Sequence, residues 1–461
     1  MTQDDLSQMS REELIQLILA QFEQLMQLKA DYEALRLKVE KGKQPSTNSS
    51  NSSQPPSRDH KRNLPADRRK RKHGPPAGHR KHERKFVANP DHIVDIRAES
   101  CPSCQADLRT AEQIMLEVNQ ITELPPAKAE VIEVRQYAVN CRACGQRQIV
   151  EPPAGLEMER RFGARLEATV VYYRQEQHMS YQRTQAALRN LHGVEISQGG
   201  IDQIMQRAGQ HAHKQMEAIR AEVSQSAVVH SDETSSRVDG QYWWEWVFCT
   251  AKAVLHIIRF NRSSDVILDV MGNRQAEVWV SDCLSAQLRS PAKQHQICLA
   301  HQIRNLQAAV DHCPTAFWAR AMQALFRYAI HLHHQRDQLP ADQFLAQVAR
   351  LERLCNWLIQ RSVPQPDASR LQRRYIKYRD CLFVCLHHTD VCPTNNVSER
   401  ALRPSVIHRK VIGCFRSGWG ARTYAALASI IHTAALSGLN AFDAVQCLFG
   451  TPSLPLPARC E

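Results

Sequence analysis

Two sets of residues in this chain combine types and spacings that could do chemistry. The first is a pair of knuckles, Cys101-Pro-Ser-Cys104 and Cys141-Arg-Ala-Cys144-Gly145. Each offers two thiolates from one tight turn, and together they complete the tetrahedral four-sulfur shell that zinc prefers. A redox dithiol needs a single pair, so the reading is one structural Zn2+ on Cys101, Cys104, Cys141 and Cys144, with no coordination position left for catalysis. The second set is acidic. Asp232, in His230-Ser-Asp232-Glu233-Thr234, and Asp282, after Val278-Trp-Val-Ser281, each close an apolar run. Two carboxylates converging on one point suit a hard, oxygen-seeking cation. Either aspartate alone could be a strand-terminating turn residue, and Asp239, Asp265 and Asp269 are read that way.

The surrounding pattern supplies elements to carry this pair. After Ser224 the period changes from helical to strand-like: Ala227 to His230 leads into Asp232, then come Tyr242 to Thr250 and Val254 to Phe260, with Val238-Asp-Gly-Gln241 as a hairpin turn between the first two runs. Ser263 to Met271 is a short helix, and Glu277 to Val280 is a fourth strand ending at Asp282. Three strands, a helix and a further strand open a ribonuclease-H-like α/β fold, in which the first and fourth strands lie side by side and bring the two aspartates to one sheet edge. Upstream, Phe162 to Val223 is helical, with Leu166, Val170 and Tyr173 on one face. Its second helix, Ser180 to Leu191, and a third from Ser197 are joined by a short turn containing Gly193, which fits either a DNA-reading helix-turn-helix or ordinary packed helices.

A later carboxylate leaves two readings open. Glu399, in Asn395-Asn-Val-Ser-Glu399-Arg400, sits where a first helical turn should be, so it could ligate a cation or close a capping box on Asn396. Cys298-x-x-His301 could be half of a metal site completed by Cys381, Cys385 or His388, but buried thiols and solvated histidines are the favoured reading, as for His331, His333 and His334. The helix Ala421 to Ser437 is apolar and reads as core.

With 461 residues the chain can form several domains, and 59 Lys plus Arg against 47 Asp plus Glu favour a polyanionic partner. An apolar heptad from Leu14 to Val39 predicts a coiled coil, hence a homo-oligomer. The Ser/Asn/Gln/Pro stretch 44–57 is a linker, and twelve Lys or Arg between Arg58 and Lys85, including Arg68, Arg69, Lys70, Arg71 and Lys72, form a basic arm suited to displacing counterions from DNA. No secretory signal or membrane span is expected, so the location is read as cytoplasmic, with the nucleoid. The fifteen cysteines are read as reduced thiols and metal ligands.

The combination of His230-x-Asp232-Glu233-Thr234, Cys298-Leu-Ala-His301, Asn395-Asn396-x-x-Glu399-Arg400 and Arg409-Lys410 resembles the transposases of the insertion sequence 66 family, as does the order of parts from Leu14 to Leu448. The resemblance implies an Asp-Asp-Glu triad of Asp232, Asp282 and Glu399 holding two Mg2+ or Mn2+ ions that activate water, or a DNA 3'-hydroxyl, for displacement at phosphorus. It implies DNA, as transposon ends and target, for a partner, leaves room for accessory proteins of the same element, and makes the region about 302–392 a helical insertion. Arg400, Arg403, Arg409, Lys410 and Arg416 then become candidate phosphate contacts. The expected architecture is multi-domain α+β: a coiled coil (1–43), a linker and basic arm (44–86), a zinc ribbon (87–155), a helical DNA-binding segment (160–223), the ribonuclease-H-like core (224–448) and a tail (449–461). The rival functions are a non-catalytic DNA-binding regulator and a nuclease or resolvase that cuts without joining. Departures from the family pattern are Asp282-Cys283-Leu284 for Asp-Gly-Tyr, Leu299 for Trp, and His408 for Gly before Arg409-Lys410.

Overall fold

The computed structural model describes residues 85–124, 127–153 and 155–450, so the heptad helix, the linker, the arginine-lysine run 68–72 and the tail beyond 450 lie outside the described residues. The described residues fall into two compact units, the smaller within 85–132 and 186–195, the larger within 133–185 and 196–450.

In the smaller unit the first knuckle is a closed turn: Cys101 N–H donates to Ala106 O (2.9 Å), Gln105 N–H donates to Cys101 O (2.8 Å), and Ser100 bridges Asp107. In the larger unit the second knuckle repeats these bonds, with Cys141 N–H on Gln146 O (2.8 Å) and Gly145 N–H on Cys141 O (2.8 Å). It sits between β1 (Ala138–Asn140) and β2 (Arg147–Ile149), an antiparallel hairpin. The apolar stretch from Val131 leading into this hairpin pairs as strand only from Ala138 onward.

Three helices follow: α1 (Ala164–Gln175), α2 (Tyr181–His192) and α3 (Gln198–Gln225). Ser197 starts α3 by accepting from Gly200 N–H (3.0 Å), satisfying one of the amides that a helix start leaves unpaired. The buried side of α1 is Glu167, Ala168, Val170, Val171 and Gln175, while Leu166 and Tyr173 are only half-buried, which shifts the apolar stripe expected from the sequence. The reason is Glu167, drawn inward by Arg160 (3.2 Å) and Arg207 (2.5 Å).

A five-stranded mixed sheet forms the centre, in the order β5-β4-β3-β6-β7. β3 (Val228–Val238), β4 (Gln241–Cys249) and β5 (Val254–Arg259) make an antiparallel meander, α4 (Asp265–Met271) crosses over, and β6 (Ala276–Ser281) returns parallel to β3. The two-residue turn Asp239-Gly240 has φ +49° and +73°, the left-handed pair that a tight hairpin needs. β3 extends past the expected Ala227–His230 run, so Asp232 lies within the strand, since β4 keeps pairing with it as far as Val238. The fifth strand, β7 (Ala292–Ile297), was not foreseen: Ala-Lys-Gln-His-Gln-Ile is too polar to show an apolar alternation, and it pairs parallel with β6 through the backbone.

Both sheet faces are covered. Val229, Trp246, Phe248, Leu255, Ile257 and Trp279 pack against α4 and the end of α3. On the other face Val278 and Val280 meet the helices that follow β7, namely α5 (Leu299–His312), α6 (Phe317–His334), α7 (Ala341–Ile359) and α8 (Pro366–Lys377). Next to them lie α9 (Asn396–Ile412) and α10 (Gly418–Leu436), followed by α11 (Ala441–Leu448). α10 is core, as expected, and it also protects the sheet edge: Ser429 Oγ accepts from His256 N–H (2.8 Å) and Thr433 Oγ1 from Val254 N–H (3.0 Å), so β5 exposes no open ladder there.

Candidate active site

The site is built where the β3–β6 pairing ends, partway along β3 and just past β6. Parallel pairing runs Val228 with Val278, Val229 with Trp279 and His230 with Val280, so Asp232 and Asp282 each stand two residues beyond the last paired position. One strand register therefore brings the two aspartates level on neighbouring strands. Each is held by a backbone amide: Asp232 Oδ1 accepts from Glu233 N–H (2.9 Å) and Asp282 Oδ1 from Leu284 N–H (2.8 Å), leaving Oδ2 of both for a ligand.

Glu399 comes from the first turn of α9, and three anchors hold that helix on the sheet. At its start Asn395 Nδ2 donates to Ser231 O (2.7 Å); in the middle Ser405 Oγ donates to the buried Glu245 Oε1 (2.5 Å); near its end the Arg409 guanidinium donates to Ser235 O and to Thr234 Oγ1 (3.1 Å). Glu245 also accepts from His256 Nδ1 (3.0 Å), whose Nε2 meets His432 Nδ1 (2.9 Å); burial and the neighbouring His256 push His432 down to about 3, so it stays neutral. The capping-box reading of Glu399 is not what forms. The N-cap is Asn395 rather than Asn396, its side chain makes no cap bond, and the Glu399 carboxylate turns to Arg304 (3.1 Å) and His301 (3.5 Å) on α5. The cause is geometric, since Asn395 is spent on the sheet and Glu399 faces a cationic partner.

Like charges gather here. Burial, then Glu233, Asp282 and Glu399, push the Asp232 carboxyl well above the usual carboxylate range. Behind the strand ends Glu233 is buried too, and burial followed by the Asp282 charge raises its carboxyl while Arg262 (2.6 Å) and Gln287 hold it. Ser231 Oγ donates to Gln287 Oε1 (2.5 Å) and accepts from Trp279 Nε1 (2.7 Å), so side chains tie β3 to β6 and to the Gln287 turn beside the aspartates. Sequence reasoning quoted Glu233 within a motif without giving it a role and passed over Arg262, Gln287 and Arg304. Of those three only Arg304 left a signal, its place one helical turn after His301.

Asp232, Asp282 and Glu399 offer only oxygen, the donor that Mg2+ and Mn2+ take, and their mutual repulsion is what a divalent cation relieves. Among the described residues no three His, Cys, Asp or Glu side chains are drawn tightly enough together to hold an ion as they stand, and Glu399 is taken up by Arg304. The donor chemistry fits; closing the shell requires Glu399 to turn from that partner.

The remaining candidates fall elsewhere. Cys385 N–H donates to Gln296 Oε1 (2.8 Å), His388 Nε2 meets Gln294 Oε1 (2.6 Å) and His333 Nδ1 meets Cys385 O (3.1 Å), so these groups stitch α6 and the 384–388 turn to β7, and among the described residues none of them forms a metal-holding group with Cys298. Arg400, Arg403, Lys410 and Arg416 are exposed on α9 and just after it, while Arg409 is turned inward. In the two knuckles the thiols of Cys101 and Cys141 lie below the ordinary thiol range. Backbone N–H groups of Cys104 and Ser103 cause this in the first, and those of Cys144 and Ala143 in the second, a bias toward the thiolate that zinc binds.

A family model described as transposase IS66 family matches residues 159–423, more than half of the chain, and one described as zinc-finger binding domain of transposase IS66 matches residues 98–145. The chain belongs to the IS66 family of transposases. The second match covers all four knuckle cysteines and supports a zinc-binding element there. No curated protein matches the chain. Among the described residues no helix is long and apolar enough to cross a membrane.

Proposed function

We propose that this transposase cuts DNA at the ends of its element and joins the ends to target DNA, using Asp232, Asp282 and Glu399 on a ribonuclease-H-like core. The observation that carries the reading is the β3–β6 register, which sets the two aspartates level, with α9 pinned beside them. The strand order β5-β4-β3-β6-β7, with an antiparallel meander followed by a parallel return, supports the ribonuclease-H-like assignment. When bound, two Mg2+ or Mn2+ ions supply activation of a water or a DNA 3'-hydroxyl and stabilisation of the leaving oxygen. The protein's own part is positional. Backbone amides aim one oxygen of each aspartate, Arg304 holds Glu399 until it is needed, and Arg400, Arg403, Lys410 and Arg416 meet backbone phosphates. The zinc element, the basic arm and the heptad helix add a folded ribbon, non-specific DNA affinity and self-association.

The test is strand cleavage with Mg2+ and DNA carrying the element's ends. Asp232→Ala, Asp282→Ala and Glu399→Gln each should lower cleavage by more than about 100-fold while DNA binding persists, because a misplaced or missing ligand loses the alignment of the reaction. Wild-type protein that binds without cutting would instead be a regulator, and cutting without joining would make it a nuclease. A Glu399→Gln variant that cuts normally refutes the triad.

A further inference from the structure

Cys298 and Asn395 are both fully buried, and each touches the backbone just before one of the two aspartates. Cys298 N–H donates to Ser281 O (2.8 Å), the carbonyl directly before Asp282. Asn395 Nδ2 donates to Ser231 O (2.7 Å), the carbonyl directly before Asp232. The two residues are tied to each other, since Asn395 N–H donates to Cys298 Sγ (3.2 Å), and the neighbouring Leu299 N–H donates to Pro393 O (2.9 Å). Asn395 O in turn accepts from Glu399 N–H (3.2 Å) as the first bond of α9. One closed set of hydrogen bonds thus reaches the residue before each aspartate and the helical turn that carries Glu399.

We propose that Cys298 and Asn395 are positioning residues that lock the three carboxylates relative to one another, the thiol acting as a hydrogen-bond acceptor rather than as a metal ligand or nucleophile. This rests on the triad reading and deepens it. Simple core filling does not account for Asn395, a fully buried amide whose side chain also faces the buried His230 imidazole, a polar pair that a leucine of similar size would break. What the amide contributes is the donor to Ser231 O, past the point where the β3–β6 pairing ends. Metal ligation by Cys298 finds no support either: its Sγ accepts from Asn395 N–H, and among the described residues no group of three His, Cys, Asp or Glu forms around it.

The test uses the full chain and Mn2+ itself. Unfolding midpoints are measured without metal and across a Mn2+ titration, alongside Mn2+-dependent nicking of plasmid DNA carrying the element's ends. Cys298→Ala and Asn395→Leu remove the acceptor and the donor, and both should need about 10- to 100-fold more Mn2+ for half-saturation in either readout, with a smaller loss at saturating Mn2+. Cys298→Ser retains an acceptor and should restore wild-type Mn2+ dependence. Wild-type Mn2+ dependence in Cys298→Ala overturns the clamp, and a Cys298→Ser variant as impaired as Cys298→Ala overturns the acceptor role. If Asn395→Leu does not fold, the two Cys298 variants decide alone. Asp232→Ala is the reference: it should lose the Mn2+-induced rise in midpoint, and if it retains that rise the triad itself is wrong and the clamp falls with it.

Discussion

At the scale of the residue, Asp232 shows how a site can oppose the stability of the fold that builds it. Its carboxyl titrates above its unfolded value because burial and then Glu233, Asp282 and Glu399 disfavour the charge. Between those two values the folded chain holds a proton that the unfolded chain has released, so stability falls as pH rises through the window. In chelator, Asp232→Asn should therefore unfold at a higher temperature than wild type above that window, and the difference should vanish below the ordinary carboxylate range, where both side chains are neutral. Mn2+ should reverse the order by stabilising wild type alone. Thermal unfolding across pH checks this, and a difference that does not change with pH would rule it out.

At the scale of the element, α9 is the decisive piece, because its three anchors on β3 and β4 set where Glu399 can reach. Behind it, α3 and α10 cross closely at Gly209: a Cβ there would collide with Thr423 Oγ1 and lie 3.1 Å from Thr423 Cγ2. Thr423 is buried and β-branched, so it has little room to yield. Overpacking costs about 1–3 kcal/mol and the helix propensity of alanine returns about 1 kcal/mol; with the contact this close the cost falls toward the upper end, so Gly209→Ala should be net destabilising by up to about 2 kcal/mol. Adding Thr423→Ala to Gly209→Ala should recover most of the loss. Urea denaturation of the single and double variants measures both, and a neutral Gly209→Ala would mean that the crossing is looser than it stands.

At the scale of the whole molecule, the region matched by the transposase family model is one part of a chain with a zinc-finger domain before it. The two knuckles share one hydrogen-bond pattern and thiols biased toward thiolate, so purified protein should carry about one zinc per chain, and Cys101→Ser or Cys144→Ser should lower that content in elemental analysis. Metal-free wild-type protein would remove the zinc reading. The heptad from Leu14 to Val39 predicts a homo-oligomer, so deleting residues 1–43 should reduce the mass seen by light scattering. An unchanged mass would locate self-association elsewhere.

Much of this was legible in residue order because it depends on local chemistry. Two Cys-x-x-Cys pairs mark two tight cysteine turns, Asp239-Gly240 makes a tight turn from its own backbone preferences, and the apolar runs before Asp232 and Asp282 mark strands whatever lies beside them. β7 escaped notice because its polar residues are held by backbone pairing with β6, which leaves no side-chain period to read. Residue order also left Glu399 between a helix cap and a metal ligand, since both belong in a first helical turn. The cap reading fell only in three dimensions, where Asn395 is spent on Ser231 O and Arg304, 95 residues earlier in the chain, takes the Glu399 carboxylate. Sequence determined the donors and the strands that carry them; long-range hydrogen bonds and charge, which no local pattern encodes, decided which of those donors face one another.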